Sequence, residues 1–257
     1  MSTAIVIAAI SGGVSLFAAC LSFVNARSVA KLNSRLEEQR RVRSKQEQAA
    51  ELRARYRDPL LSAVFDLQSR LFNIVEKTFL VRYSRAPDDA SRTYAVASTM
   101  YVLAEYLGWV EVIRREIQFL DFGDELANRR WVGALEQVRD ILAKDDLDPA
   151  LRVFRAEQRA IGELMDVVVP DPESARRHEC LGYASFVTRL GEPEFSRWFE
   201  KLRADLELLA QEPESHLERP VLLQNALVDV LDMLDTDCNR FAAARRGRLT
   251  LTSTSPA

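Results

Sequence analysis

The chain has 257 residues, of which 47% are apolar and 28% are charged, a composition typical of a globular domain with a hydrophobic core. The net charge of −3 is uneven: residues 25–57 carry ten Lys or Arg against four Asp or Glu, whereas the residues after Arg57 carry 25 basic and 34 acidic side chains. Because phosphates dominate the affinity of nucleic acids for proteins, so acidic a body argues against DNA or RNA as a partner.

The first predicted element is the apolar segment AIVIAAISGGVSLFAACLSFV, residues 4–24, which contains no charged side chain. At about 1.5 Å per residue, a helix of this length crosses a hydrocarbon core about 30 Å thick. A cleaved signal peptide normally has a positive residue before a shorter apolar run, and a buried core helix is not normally apolar on every face. We therefore predict a transmembrane anchor over residues 1–25, in contact with the lipid bilayer through residues 4–24.

Small residues four positions apart in this anchor, such as Ala8 and Gly12, would let two such helices approach closely in lipid. The same spacing is common by chance in segments rich in Ala, Gly and Ser, and we favour that interpretation. A homo-oligomer is therefore left open.

Residues 26–57 are predicted to form a basic helical stalk, since they contain many helix formers and no Pro or Gly. Basic residues follow the anchor closely and none precedes it: Arg27, Lys31, Arg35, Arg40, Arg41 and Arg43. This bias places the N-terminus outside the inner (plasma) membrane, the C-terminal domain in the cytoplasm, and the stalk near anionic lipid headgroups. Asp58 and Pro59 are expected to begin the next helix, as its N-cap and first helical residue.

Residues 58–242 are predicted to form an all-α cytoplasmic domain, a bundle of seven or eight helices. Apolar residues recur at helical spacing in several segments, most clearly at Leu60, Val64, Leu67, Leu71 and Ile74. VVVP at 167–170 is the one segment with strand-like composition, and it is too short for a sheet. Residues 243–257 are polar and terminal, and we expect a disordered tail.

Motifs for catalysis or cofactor binding are missing: the sequence contains no HExxH, ExxH, GxGxxG, GxxxxGK[ST] or GxSxG. Cys20, Cys180 and Cys238 form no CxxC pair, which argues against a zinc site or a disulfide framework and indicates a reducing compartment. Cys180 lies two residues from His178, but on a helix such side chains point apart. We predict no catalytic residue and no cofactor.

An acidic cluster closes the last long predicted helix, at Asp229, Asp232, Asp235 and Asp237. Negative charge is unfavourable at a helix C-terminus, so positive charge is expected nearby. Arg240, Arg245 and Arg246 are candidates, and a hard cation such as Mg²⁺ bound by the carboxylates is the alternative. We favour the arginines and keep the four aspartates as weak metal-ligand candidates.

Polar residues interrupt apolar stripes at two further places. Glu105 lies within YVLAEYLGWV, and the stripe in LRVFRAEQRAIGELM must admit Glu157 or Gln158. Because a buried carboxylate is costly unless it is paired, Glu105 and Glu157 could line a polar pocket with Arg159 or Arg155. Interhelical ion pairs without a ligand are the interpretation that we favour.

The segments RYRDPLLSAVFDLQSRLFNIV, RREIQFLD and FRAEQRAIGELM resemble an uncharacterised family of bacterial proteins with an N-terminal membrane anchor and an all-helical cytoplasmic region. The resemblance spans most of residues 50–240. It implies a bacterial inner-membrane setting, and it implies neither an activity nor any catalytic residue.

Three functions remain as hypotheses. The first is a single-pass, membrane-tethered helical module for protein interaction or scaffolding, with an unknown protein partner. The second is a helical metal-dependent enzyme that uses Asp229–Asp237. The third is a membrane-linked sensor or effector in stress or phage defence, which would need to oligomerise to form a pore. We favour the first.

Overall fold

The computed structural model describes residues 31–33, 35–44, 47, 55–116, 125–170 and 177–251. The chain divides into two compact units, Met1–Leu52 and Arg53–Ala257. In the first unit, the described residues are helical and exposed, and Arg43 pairs with Glu47 across one helical turn at 3.1 Å. The predicted anchor at residues 4–24 lies outside the described residues.

The second unit is built almost entirely from helices, and 72% of the described chain is helical, which confirms the predicted all-α class. The helices are α1 (55–76), α2 (Phe79–Ser84), α3 (Asp89–Glu116), α4 (Glu125–Ala143), α5 (Arg155–Met165), α6 (Tyr183–Arg189), α7 (Pro193–Ser196), α8 (Glu200–Gln211) and α9 (Glu218–Leu234). The described residues of the second unit thus contain nine helices rather than seven or eight. α2 and α7 have six and four residues, too few to show an apolar repeat in the sequence.

α1 buries the whole stripe predicted from its sequence, with Leu60 and Val64 fully inaccessible to solvent. The helix does not begin at Asp58 as predicted; it passes through Asp58-Pro59 without a break. Tyr56 is buried, and the Arg57 Nε donates to the Leu234 carbonyl at the end of α9 at 2.9 Å. These contacts hold the preceding turn in the folded body despite the backbone donor that Pro59 lacks.

α3 is the central helix and packs against α2, α5, α6 and α8. It approaches α5 closely at Gly162, where an added Cβ would lie 2.7 Å from the Leu107 carbonyl oxygen. Among the described helices, Asp89–Arg115 alone is long and apolar enough to cross a membrane, with a mean hydropathy of 1.2. Because 67% of that apolar window is buried inside the protein, the helix has the character of a domain core.

Two short strands interrupt the helical order, contrary to the prediction that VVVP is too short for a sheet. β1 (Asp166–Val169) pairs antiparallel with β2 (Arg177–Cys180), with Asp166 opposite Cys180. Both strands pack on α3. The hairpin is stabilised by this packing, and the sequence of β2, RHEC, carries no apolar alternation that would reveal it.

Arg219 connects α9 to the end of α4, which has no basic residue in its last turn. Its side chain is fully buried and donates to the carbonyls of Ile141, Leu142 and Lys144, the last at 2.8 Å. The same guanidinium bonds the Asp148 carbonyl at 2.9 Å. A single side chain therefore satisfies carbonyls that the end of α4 leaves without helical partners.

Residues 243–251 do not form the disordered tail that the sequence predicts. They begin with a 3₁₀ turn, Ala243–Arg245, and then run along α9 with Leu249 buried. Buried Gln224 of α9 donates to the Gly247 carbonyl at 2.8 Å and accepts from the Leu249 amide at 3.2 Å. This segment was mispredicted because its main-chain groups bond to buried glutamines, a pairing that composition does not reveal. The rest of the predicted tail, 252–257, lies outside the described residues.

Candidate functional site

The acidic cluster of α9 faces arginines of the C-terminal segment. The Arg246 Nη1 lies 3.1 Å from Asp232, and the Arg248 Nη2 lies 2.8 Å from Asp229. Arg246 also pairs with the buried Asp235. The described residues contain no group of three or more His, Cys, Asp or Glu side chains placed to hold a metal ion.

The arginines around this cluster differ in part from those expected. Arg246 does compensate the aspartates, but Arg240 pairs with Asp58 at 2.6 Å and Arg245 lies over the Phe65 ring. Arg248, rather than Arg240 or Arg245, pairs with Asp229 of the cluster, and Asp237 is exposed. The geometry therefore favours ion pairing over metal ligation at this end of α9.

Asp235 organises the turn after α9. Its carboxylate accepts hydrogen bonds from the backbone amides of Asn239, Arg240 and Phe241, at 3.0 to 3.3 Å. Burial opposes ionisation, but these amides and Arg246 outweigh it and lower the pKa of Asp235 below its ordinary value of 3.8. The residue thus stabilises a turn.

Glu157 and Arg159 do not share a pocket with Glu105. Glu157 accepts a hydrogen bond from the Phe154 amide at 2.8 Å and so caps α5. Arg159 is exposed and lies 4.0 Å from Glu163. Gln158 is the polar residue that the apolar stripe admits, and its amide donates to the Val153 carbonyl at 2.8 Å.

Arg155, the other arginine considered for that pocket, bridges α5 and α4 instead. It pairs with Glu136 at 2.6 Å and also with Asp140. The structure therefore does not bring Glu105, Glu157 and Arg159 together in one pocket, the alternative that we did not favour. Arg155 forms an interhelical ion pair, as in the favoured interpretation.

Glu105 is half-buried and interacts with Tyr101, which lines a polar cavity of about 350 Å³, here called the Arg70 pocket. α1, α3 and the start of α6 enclose this pocket. Its walls include Asp66, Arg70, Tyr94, Ser98, Tyr101 and Tyr183. The spacing explains the convergence: Asp66 and Arg70 are one helical turn apart on α1, and Tyr94, Ser98 and Tyr101 follow one face of α3.

The Arg70 guanidinium is held in place from two sides. Its Nη1 donates to the Ser98 hydroxyl at 2.8 Å and to the Thr99 hydroxyl at 3.0 Å, and its Cζ lies 4.2 Å from the Phe79 ring centroid. Within the described residues, no carboxylate oxygen lies within 4.0 Å of this guanidinium. Burial lowers the pKa of Arg70, and the nearby Tyr94 raises it in part.

Acidic and phenolic groups around the Arg70 pocket resist ionisation. Burial raises the pKa of Asp66, against the attraction of Arg70, and burial raises the pKa of Glu105, against its interaction with Tyr101. Burial likewise raises the pKa values of Tyr101 and Tyr183. Several shifted groups around one cavity are typical of binding sites. The sequence indicated Glu105 alone, since the other members are polar residues on three separate helices.

His178 and Cys180 lie on β2 rather than on a helix, so their side chains share one face of the strand. The His178 Nδ1 lies 2.7 Å from the Asp166 carboxylate, and the Cys180 Sγ lies 3.8 Å from the Glu105 carbonyl oxygen. Burial raises the pKa of the Cys180 thiol, the opposite of what a nucleophilic cysteine requires.

A second cavity, of about 490 Å³, opens between α2, α3, α6 and α8 and is here called the apolar groove. Leu80 and Met100 form its buried floor, and Val187, 40% exposed, lies at its edge. Arg92 and Arg203 lie on its rim. Arg92 pairs with Asp89 at 2.5 Å, whereas none of the described carboxylates pairs with Arg203.

Comparisons of the chain with protein-family models, with curated proteins and with solved structures found no match.

Proposed function

We propose that the chain is a single-pass, membrane-tethered helical module that binds a partner protein and has no catalytic role of its own. The uncharged segment at residues 4–24 and the basic residues that follow it support the tether and a cytoplasmic domain. The aspartates of α9 are engaged by Arg246 and Arg248, which weakens the alternative of a metal-dependent enzyme.

The apolar groove is the observation that carries the interaction. Its floor is apolar, and its volume falls in the range of ligand cavities, about 300–1,000 Å³. An amphipathic helix places residues at i, i+3, i+4 and i+7 into such a groove. We assign the groove to a helix of a partner protein that presents apolar side chains to Leu80 and Met100 and an acidic side chain to Arg203.

The tether is tested first, with the full chain expressed in bacterial cells. We expect it to remain in the membrane fraction after carbonate extraction, and a chain that lacks residues 1–25 to be released. Protease added to intact cells should leave the domain uncut, whereas protease added to inverted vesicles should cut it. A mature chain that starts after Val24, or a domain cut in intact cells, would contradict the tether.

The groove is tested by placing a photo-crosslinking residue at position 187, with position 132 as the matched control. Val132 is also an exposed valine on a helix, 57% accessible, but it lies on α4 outside the groove. A protein captured at position 187 and not at position 132 is then purified and its affinity measured. Val187→Asp should weaken binding at least about tenfold, or 1.4 kcal/mol, because it places a charge at the apolar contact.

Val132→Asp should leave that affinity unchanged. Equal capture at both positions, or equal affinity for both variants, would show that the groove is not the docking surface. An Arg203→Glu variant should also weaken the complex, since it repels the acidic side chain expected on the partner.

A further inference from the structure

The Arg70 pocket contains one fixed cation, Arg70, whose hydrogen bonds go to hydroxyls rather than to a carboxylate. The hydrogen bonds from Arg70 to Ser98 and Thr99 use Nη1, and Tyr94 also interacts with the guanidinium. A guanidinium has more N–H donors than these contacts use, so donors remain for the oxygens of a ligand. A guanidinium held in this way and free of a carboxylate within 4.0 Å matches the two oxygens of a carboxylate or phosphate group.

Other groups that line the Arg70 pocket suit a positive group. Asp66 is exposed to the cavity one turn before Arg70 on α1. Tyr101 and Tyr183 pack edge to face with ring centroids 5.2 Å apart, and Tyr94 lines the same cavity. Tyrosine rings beside a carboxylate attract ammonium groups, including fully methylated ones, through their negative faces.

Ligands of one charge suit this cavity poorly. A simple anion attracted by Arg70 would lie near the carboxylate of Asp66, and a simple cation would be repelled by Arg70. A molecule with both charges a few ångströms apart can contact Arg70 with its anionic group and Asp66 and the tyrosines with its cationic group. We infer that the Arg70 pocket binds a small zwitterion, with its carboxylate or phosphate on Arg70 and its ammonium among Asp66 and the tyrosines.

The ammonium carboxylate of a free betaine and the phosphocholine of a lipid headgroup share this chemistry. The full chain is therefore prepared in a maltoside detergent, which carries no zwitterionic headgroup, and titrated calorimetrically with glycine betaine and with phosphocholine. Acetate, inorganic phosphate and tetramethylammonium serve as single-charge probes. Vesicles of phosphatidylcholine test whether the headgroup is reached when it is part of a membrane.

We expect at least one of the two zwitterions to bind at millimolar concentration, about tenfold more tightly than any single-charge probe. Binding of phosphocholine together with the vesicles would assign the lipid as the source, and binding of free zwitterions alone would assign a soluble molecule. No binding of either zwitterion, or equal binding of acetate, phosphate or tetramethylammonium, would overturn the inference.

Variants locate the site. Arg70→Gln and Asp66→Asn should each weaken zwitterion binding at least about tenfold, since each removes one charged contact. Arg130→Gln and Asp237→Asn change exposed residues outside the Arg70 pocket and should leave the affinity unchanged. Because Arg70→Gln also removes contacts with Ser98 and Thr99, the exposed Asp66 provides the variant that is expected to fold normally. Undiminished binding in Asp66→Asn and Arg70→Gln would overturn the assignment.

Discussion

A single carboxylate, that of Asp235, joins the end of α9 to the segment that follows it. It is 5% exposed, it accepts from three consecutive backbone amides, and it pairs with the buried Arg246. Charge-assisted hydrogen bonds of this kind are about twice as strong as neutral ones. The turn at 235–241 therefore depends on the charge of one residue.

Replacing this charge should destabilise the domain. Asp235→Asn turns an amide donor toward backbone donors and leaves Arg246 without its buried partner, so we expect a loss of about 3 kcal/mol at neutral pH. Denaturant unfolding of the full chain in detergent, followed by near-UV circular dichroism, measures it. Asp237→Asn, an exposed neighbour, should change the free energy of unfolding by less than about 0.5 kcal/mol.

The charge of Asp235 also makes the free energy of unfolding depend on pH. The pKa of Asp235 lies below 3.8 in the folded protein, so in acid the unfolded chain binds the proton more readily than the folded one. Its contribution is therefore complete above the ordinary pKa and is lost as the pH falls from 3.8 through the lowered value. The stability difference between the original protein and Asp235→Asn should shrink over that interval; a constant difference would contradict the assignment.

Two glycines in helices differ in the space around them: Gly162 of α5 is crowded, and Gly133 of α4 is open. A Cβ on Gly162 would lie 2.7 Å from the Leu107 carbonyl oxygen and 2.8 Å from the Glu111 Cβ, whereas a Cβ on Gly133 of α4 would meet nothing within 4 Å. The backbone carbonyl of α3 cannot move without moving the helix. Gly162 therefore sets the distance between α3 and α5.

The two glycine-to-alanine substitutions should have opposite signs. Alanine is favoured over glycine in a helix by about 0.5–1 kcal/mol, and Gly133→Ala should stabilise the domain by about that amount. Gly162→Ala should destabilise it by about 1–3 kcal/mol, because overpacking at the helix crossing outweighs the propensity. Thermal unfolding of both variants measures these changes. A Gly162→Ala variant that unfolds at a higher temperature than the original protein would show that α3 and α5 can move apart to accept the added methyl group.

The sequence predicted elements well where burial repeats with the helical period. The stripe of α1 is buried as expected, because one packed face imposes spacings of three and four. Prediction failed where a neighbour distant in sequence decides the outcome. β2 is a strand because it packs on α3, and α1 continues through Pro59 because Tyr56 and Arg57 contact the body.

The candidate site was predictable only in part, for the same reason. Glu105 is recognisable in the sequence because it interrupts an apolar run. Arg70 and Tyr183 are not, because they lie on separate helices, 113 residues apart in the chain. The acidic cluster was visible, yet its partners Arg246 and Arg248 lie in a segment that composition marks as disordered. Local patterns reveal helices, whereas pockets arise from how helices meet.

For the whole molecule, the C-terminal segment 243–251 is a structural part of the domain. Arg246 and Leu249 are buried, and the carbonyls of Arg245 and Gly247 accept from Gln68 of α1 and Gln224 of α9. These two glutamines are themselves buried and bonded to each other at 3.1 Å. The segment therefore closes the contact between the first and last long helices of the domain.

Truncation after Ala242 should accordingly destabilise the domain by at least about 4 kcal/mol, since it leaves Gln68 and Gln224 short of partners and uncovers the apolar surface beneath Leu249. Truncation after Leu251 removes only residues 252–257 and should unfold at the same temperature as the full chain. Thermal unfolding and limited proteolysis of both truncated chains provide the measurement. If the chain that ends at Ala242 unfolds at the same temperature as the full chain, residues 243–251 do not contribute to the stability of the bundle. If it unfolds at a lower temperature or fails to fold, the bundle needs residues 243–251 to join α1 to α9.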